Sequence, residues 1–148
     1  MKYTTEIEIR LPREEVLKKL YNPNNLKHWQ KGFVSKEHLN GEPGEEGAES
    51  RLIYKMGKRE IEMTETITKK ELPLKLSASY NAKGVYNIQK NIFEETPRNH
   101  TMWTSRNKFE FSGFMKLMGW LMPGAFKKQT YQYMQDFKKF AETGKSLY

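Results

Sequence analysis

The stretch that decides the fold is the closing one, AFKKQTYQYMQDFKKFAET, residues 125–143. Read at the helical period, it puts Phe126, Thr130, Tyr133, Met134, Phe137, Phe140 and Ala141 on one stripe. At the other end of the chain the period is two. From Lys2 to Leu11, Tyr3, Thr5, Ile7, Ile9 and Leu11 share one face, and Lys2, Thr4, Glu6, Glu8 and Arg10 share the other. That alternation describes a strand with one wet side.

The segments between these ends set the order of the parts. Pro12 opens a short helix whose first turn holds Glu14 and Glu15, where the helix dipole favours negative charge. Val16, Leu17 and Leu20 form its apolar side. Asn22-Pro23 ends that helix and starts a second, with Asn22 as cap, Pro23 in the first turn, and Leu26 and Trp29 as anchors. From Gly32 to Gly113 the pattern is a meander, with strands expected at 33–39, 48–56, 59–70, 74–82, 85–95 and 100–111. Turn residues punctuate it: the loop 41–47, Gly57-Lys58, Pro73, Lys83-Gly84 and Pro97-Arg98-Asn99. Seven strands in antiparallel series, with the helices kept apart from them, predict an α+β fold in a single domain, 1–148.

Composition narrows the function classes. Hydrophobic residues make up only 36% of the chain and aromatics 13%, so a few large rings must supply much of the core. With no cysteine, no apolar leader after Met1 and no stretch long enough to span a bilayer, the expectation is a cytoplasmic protein without disulfides. The net charge of +8 is spread over scattered pairs, such as Lys18-Lys19, Lys69-Lys70 and Lys138-Lys139, which suit a solvated surface. Nucleic acid is therefore not an expected partner. His28, His38 and His100 stand in different elements with no ligand spacing, so no metal or other cofactor is expected. Ser105 lies mid-strand, outside any nucleophile-elbow context.

Residues 114–122, FMKLMGWLM, stand apart. They are nearly all apolar, too short to cross a membrane and too apolar for a free loop. They must cover either core or the mouth of a cavity, and their methionines supply adaptable packing.

The helix pair carrying Val16, Leu20, Asn22-Pro23, Leu26 and Trp29 matches a known pattern. So do the Gly41–Gly47 loop, the strand end Phe93-Glu94-Glu95 followed by Thr101 and Trp103, and the Met-rich turn through Pro123-Gly124 into Phe126-Lys127-Lys128. In this order the parts resemble the SRPBCC superfamily, the helix-grip group of START lipid-transfer domains, pollen-allergen-type binders and polyketide cyclase-like proteins. The resemblance covers nearly the whole chain. It implies a seven-stranded curved antiparallel sheet wrapped around the long C-terminal helix, with two short helices after strand 1 and a cavity between sheet and helix. It also implies binding or transport of a small apolar or amphipathic molecule. It carries over no catalytic set, because the superfamily shares a fold rather than an active site. The loop 41–47 is acidic at Glu45-Glu46, which makes a poor phosphate cradle.

Strand phase then names a lining. Leu52, Tyr54 and Met56 share a face, as do Ile61, Met63, Glu65 and Ile67, and as do Leu74, Leu76, Ala78, Tyr80 and Ala82. Thr101, Trp103, Ser105, Asn107, Phe109 and Phe111 form another set. Between 85 and 93 hydrophobicity alone leaves two phases open: Asn87, Gln89, Asn91 and Phe93 inward, or Tyr86, Ile88 and Ile92 inward. The resemblance favours Phe93 inward, and a bulge would reverse it. On that phase the expected ligand-binding residues are Tyr54, Met63, Glu65, Tyr80, Asn87, Gln89, Asn91, Trp103, Ser105, Asn107, Leu117, Met118, Phe126, Thr130 and Met134, with 114–122 as part of a lid. Tyr54, Tyr80 and Trp103 suit stacking on a ligand or plain core packing.

Glu65 is the one catalytic candidate. A carboxylate on an apolar face is equipped to act as an acid, a base or a ligand anchor. The blander alternative pairs it with a cavity tyrosine or an arginine, or leaves it at the rim. Three function classes follow: a carrier, a cyclase- or dehydratase-type enzyme using Glu65 with Tyr54 or Tyr80, and a regulatory module touching a membrane edge through 114–122 and Lys127-Lys128. The expected partner is a small apolar or amphipathic ligand, with membrane contact at most peripheral and the chain a monomer or weak homodimer.

Overall fold

The chain, as a computed structural model, is described over residues 1–148. The opening alternation becomes β1 (Lys2–Ile9), followed by α1 (Arg13–Leu20), a 3-10 turn at Pro23–Asn25 and α2 (Leu26–Trp29). Asn22 caps the turn as expected, its Oδ1 accepting from the Asn24 amide at 3.0 Å. The meander follows as β2 (Phe33–Asn40), β3 (Glu49–Met56), β4 (Arg59–Glu71), β5 (Lys75–Ala82), β6 (Val85–Glu95) and β7 (Thr101–Phe111). Then come α3 (Phe114–Leu121) and α4 (Pro123–Thr143).

All seven strands join one antiparallel sheet in the order β1-β7-β6-β5-β4-β3-β2. Each neighbour but one is a hairpin partner. The exception, β1 on β7, brings the two ends of the chain together. β2 and β3 lose register twice, between Phe33 and Ser35 and between His38 and Asn40, and β4 slips against β5 between Ile67 and Lys69. The acidic loop 41–47 is stapled to β4: Glu46 accepts from the Lys70 amide at 2.9 Å, and Glu45 pairs with the Lys70 ammonium at 2.8 Å.

Helix α4 docks along β1. Thr5 Oγ1 donates to Met134 Sδ at 3.0 Å, and the Tyr3 hydroxyl lies 2.6 Å from Thr130 Oγ1 and donates to the Phe126 carbonyl at 3.2 Å. In its C-terminal half Met134, Phe137, Phe140 and Ala141 are buried in the core. Phe137 meets the Trp29 ring edge-on at 5.2 Å and the Trp103 ring at 5.6 Å, and Phe93 stacks on Trp103. Ile9, Val16, Leu20, Leu26 and Phe140 close around them. A few large rings do supply the centre of this core.

Several boundaries differ from the sequence reading. α4 begins at Pro123 rather than Ala125, because proline suits the first helical position and gives up no useful N–H there. Leu74 lies in the turn before β5 and is exposed, so it leaves the inner face. No helix is long and apolar enough to cross a membrane.

Phe137 is fully buried, so Phe137→Ala should cost about 3–5 kcal/mol by leaving a cavity between two indoles. Chemical denaturation monitored by tryptophan emission checks this, and a loss below about 1 kcal/mol would remove the ring from its central place.

Candidate functional site

The aromatic cluster holds one half of α4 against the sheet, and over the remaining strands the two stand apart. The space between is a cavity of about 390 Å³ with mostly hydrophobic walls. That volume falls within the range of small-molecule pockets. β3 gives it Leu52, Tyr54 and Met56; β4 gives Ile61, Met63 and Glu65; β5 gives Tyr80 and Ala82. β6 and β7 supply Asn87, Gln89, Asn91, Trp103, Ser105 and Phe109, and α4 supplies Phe126, Gln129, Thr130, Tyr133 and Met134.

The phase left open on β6 resolves with Phe93, Asn87 and Asn91 buried, while Tyr86 and Ile88 face solvent. The polar side chains on this wall form a head-to-tail ladder. Trp103 Nε1 donates to Asn91 Oδ1 at 2.9 Å, and Asn91 Nδ2 donates to Gln89 Oε1 at 3.1 Å. Gln89 Nε2 and Asn87 Nδ2 both donate to Asn107 Oδ1, at 3.2 and 3.1 Å, and Asn107 Nδ2 donates to Ser105 Oγ at 2.9 Å. Asn107 is itself buried behind the lining and acts as the hub of the ladder rather than as part of the wall. Each amide spends part of its capacity on its neighbour, which makes buried polar groups tolerable here.

Farther along the same sheet sits a charged pair. Glu65 Oε1 lies 3.1 Å from Lys36 Nζ, with side chains 17% and 30% exposed. The expected cavity tyrosine is Tyr80, which hydrogen-bonds Glu65, and the charged partner is a lysine from β2 rather than an arginine. The two register slips in β2 break its alternation, so its inward positions are not legible from the sequence alone. Glu65 on β4 is also the direct cross-strand partner of Tyr80 on β5. Burial, and then the Glu65 carboxylate, push the Tyr80 phenol well above its ordinary value. The Tyr54 phenol is raised as well, chiefly by burial, while its hydroxyl donates to Gln30 Oε1 at 2.8 Å.

Besides Asn107, two expected lining residues are not there. Leu117 is exposed, and Met118 is half-buried away from the cavity; Met115, one helical turn earlier, lines it instead. The helical period of α3 turns Met115, Met118 and Gly119 toward the protein and leaves Phe114, Leu117, Trp120 and Leu121 outside. So 114–122 covers the cavity with a narrow edge and leaves a wide face bare. Sequence reasoning also passes over Trp29, Gln30, Lys36 and Gln129 as lining residues, and all four line the cavity. Trp29 is more than the anchor its position suggests, since its Nε1 is buried without a hydrogen-bond partner.

The three histidines make separate local contacts, with Ser146, with the Gly41 carbonyl and with Glu8.

Solved structures share this architecture. TTHA0849 from Thermus thermophilus superposes with a TM-score of 0.76 at 14% identity, over 99% of this chain and 100% of that one. Ara h 8.0201 gives 0.76 at 10% identity, over 97% and 98%. The fold is the helix-grip fold. DynU16, a protein of the dynemicin biosynthetic locus, shares the helix-grip arrangement at a TM-score of 0.73 and 13% identity, over 98% of this chain and 48% of that one. No protein-family model and no curated protein matches the sequence. At these identities the likeness speaks for the fold alone.

Tyr54 and Tyr80 should fail to ionise in the native protein near the ordinary phenol value of 10.0. The unfolded chain releases those protons at that value and the folded chain holds them, so folding stability is complete below it and falls as pH rises above it. Phenolate absorbance followed with pH, native against denatured, checks this. Full native titration at the ordinary value would contradict the burial of both phenols.

Proposed function

We propose that this chain is a binding protein of the SRPBCC superfamily that holds a small, uncharged, oxygen-bearing amphipathic molecule between sheet and α4. The order of the parts and the fold of the neighbours support the superfamily. The observation that carries the ligand class is the charge balance of the cavity. Its only carboxylate is already matched by Lys36, and its other polar wall is a ladder of amides and a hydroxyl. An ionic ligand would have to break the pair or enter without a counter-charge, and both cost several kcal/mol by order of magnitude. A neutral ligand meets spare amide N–H groups, the Asn87 carbonyl and the Ser105 hydroxyl, with apolar surface filling the rest.

The test is native mass spectrometry of freshly purified protein, followed by denaturing analysis of whatever it releases. The expected result is one neutral small molecule bearing hydroxyl or carbonyl groups. Met63→Trp, which fills the cavity from the middle of β4, should abolish its retention while the protein stays folded. Retention by the filled variant would place the ligand elsewhere, and a released fatty-acid-like anion would overturn the neutral class.

A cyclase- or dehydratase-type enzyme is the second reading, favoured by one observation: Glu65 and Tyr80 face each other across neighbouring strands inside the cavity. As enzyme, the native protein would release a converted species and Glu65→Gln only its precursor. As carrier, both would release the same mass.

A further inference from the structure

We propose that α3 is a docking element for an anionic lipid bilayer. The helix is held on a narrow inner edge. Gly119 lies so close to Phe111 that a Cβ there would sit 2.6 Å from the ring, and Met115 reaches the cavity and the Gly84 turn. Nothing covers the other side. Phe114 is 70% exposed and Trp120 77%, with Leu117, Leu121 and Met122 beside them. A run of large apolar side chains this bare is rare on a protein surface that faces only water.

The charges around it select the partner. From Phe111 to Gln135 there is no Asp or Glu, and Lys116, Lys127 and Lys128 fall within that span, with Glu6 of β1 the one acid sharing a surface pocket with Lys127 and Lys128. None of the three pairs with a carboxylate. Lys83 joins them on the turn whose Gly84 touches Met115. Glu110, the nearest acid before the span, is taken up by Lys108. A second copy of the chain is a poor occupant, because a two-fold contact through α3 sets these lysines against their own images. An anionic bilayer answers both features: its acyl boundary receives the apolar ridge, its headgroups receive the lysines, and an indole at the tip suits the interface. Docking there would leave Met115, on the inner edge of the same helix, one helix diameter from the bilayer.

Vesicle co-sedimentation tests this with phosphatidylcholine alone and with about one-third phosphatidylglycerol. The protein should bind the anionic vesicles, release at high salt and ignore the neutral ones. Trp120→Ala should weaken binding by about tenfold, and each of Lys127→Glu and Lys128→Glu by about fivefold or more. All three positions are exposed, so unchanged thermal melting would show that the fold is kept. Met63→Trp should bind vesicles like the parent, which separates this surface from the ligand reading. Equal binding to neutral vesicles, no binding to anionic ones, or indifference to Trp120→Ala would each overturn the proposal. So would a dimer in light scattering that Trp120→Ala dissolves, since a second copy would then own the face.

Discussion

Everything in this molecule depends on where Phe137 is held. Wedged between Trp29 from the helix pair and Trp103 from β7, it fixes one end of a helix about 30 Å long against the sheet. The seam with β1, through Thr5, Met134, Tyr3 and Thr130, fixes its direction. A straight rod pinned at one end and along one edge cannot also follow the inner curve of the remaining strands. The cavity is the geometric remainder of that docking, which is why its walls come from β2 to β7, from the helix pair and from α4 as far as Met134. The same cluster recruits α1 and α2 through Val16, Leu20 and Leu26, so the chain cannot form this core without enclosing the space beside it.

The distribution of polarity inside the cavity is the second organising fact. One wall carries amides whose hydrogen bonds run from residue to residue across two strands. Such a wall is rigid, because turning one amide breaks bonds at its neighbours. The neighbouring strands β2 to β5 concentrate their polarity in one ion pair beside two high-pKa phenols that remain hydrogen-bond donors across the ordinary pH range. Glu65, Tyr80 and Asn87 are successive partners across β4, β5 and β6, so the two polar regions meet on one row of the sheet, with apolar surface on either side.

Much of this was legible in the sequence, for a specific reason. Strands with one wet face announce themselves by period two, so Leu52 with Tyr54, Met63 with Glu65, and Trp103 with Ser105 fall on their observed faces. The seven strands, the capped turn at Asn22 and the α4 stripe follow from equally local rules. Legibility fails where local rules are overridden. The slips in β2 hide Lys36, which is why the partner of Glu65 is a lysine that alternation does not point to. In 114–122 apolarity runs all the way round the helix, so composition alone does not say which side turns inward, and it favours Leu117 and Met118 where the fold uses Met115. On β6 the polar residues face in and apolar ones face out, against the usual rule, and only the position of Phe93 settles it.

The two slips in β2 have one more consequence. β1 and β2 are the free borders of the sheet, each with a row of unpaired backbone groups on its outer side. A straight border of that kind is a template on which another chain can add a strand. Along β2 the backbone is kinked near Phe33 and again near His38, and Lys36, Glu37 and His38 lie on it, so an incoming strand finds no continuous row of donors and acceptors. The irregularity that conceals Lys36 from the sequence reading also guards this border of the protein against aggregation.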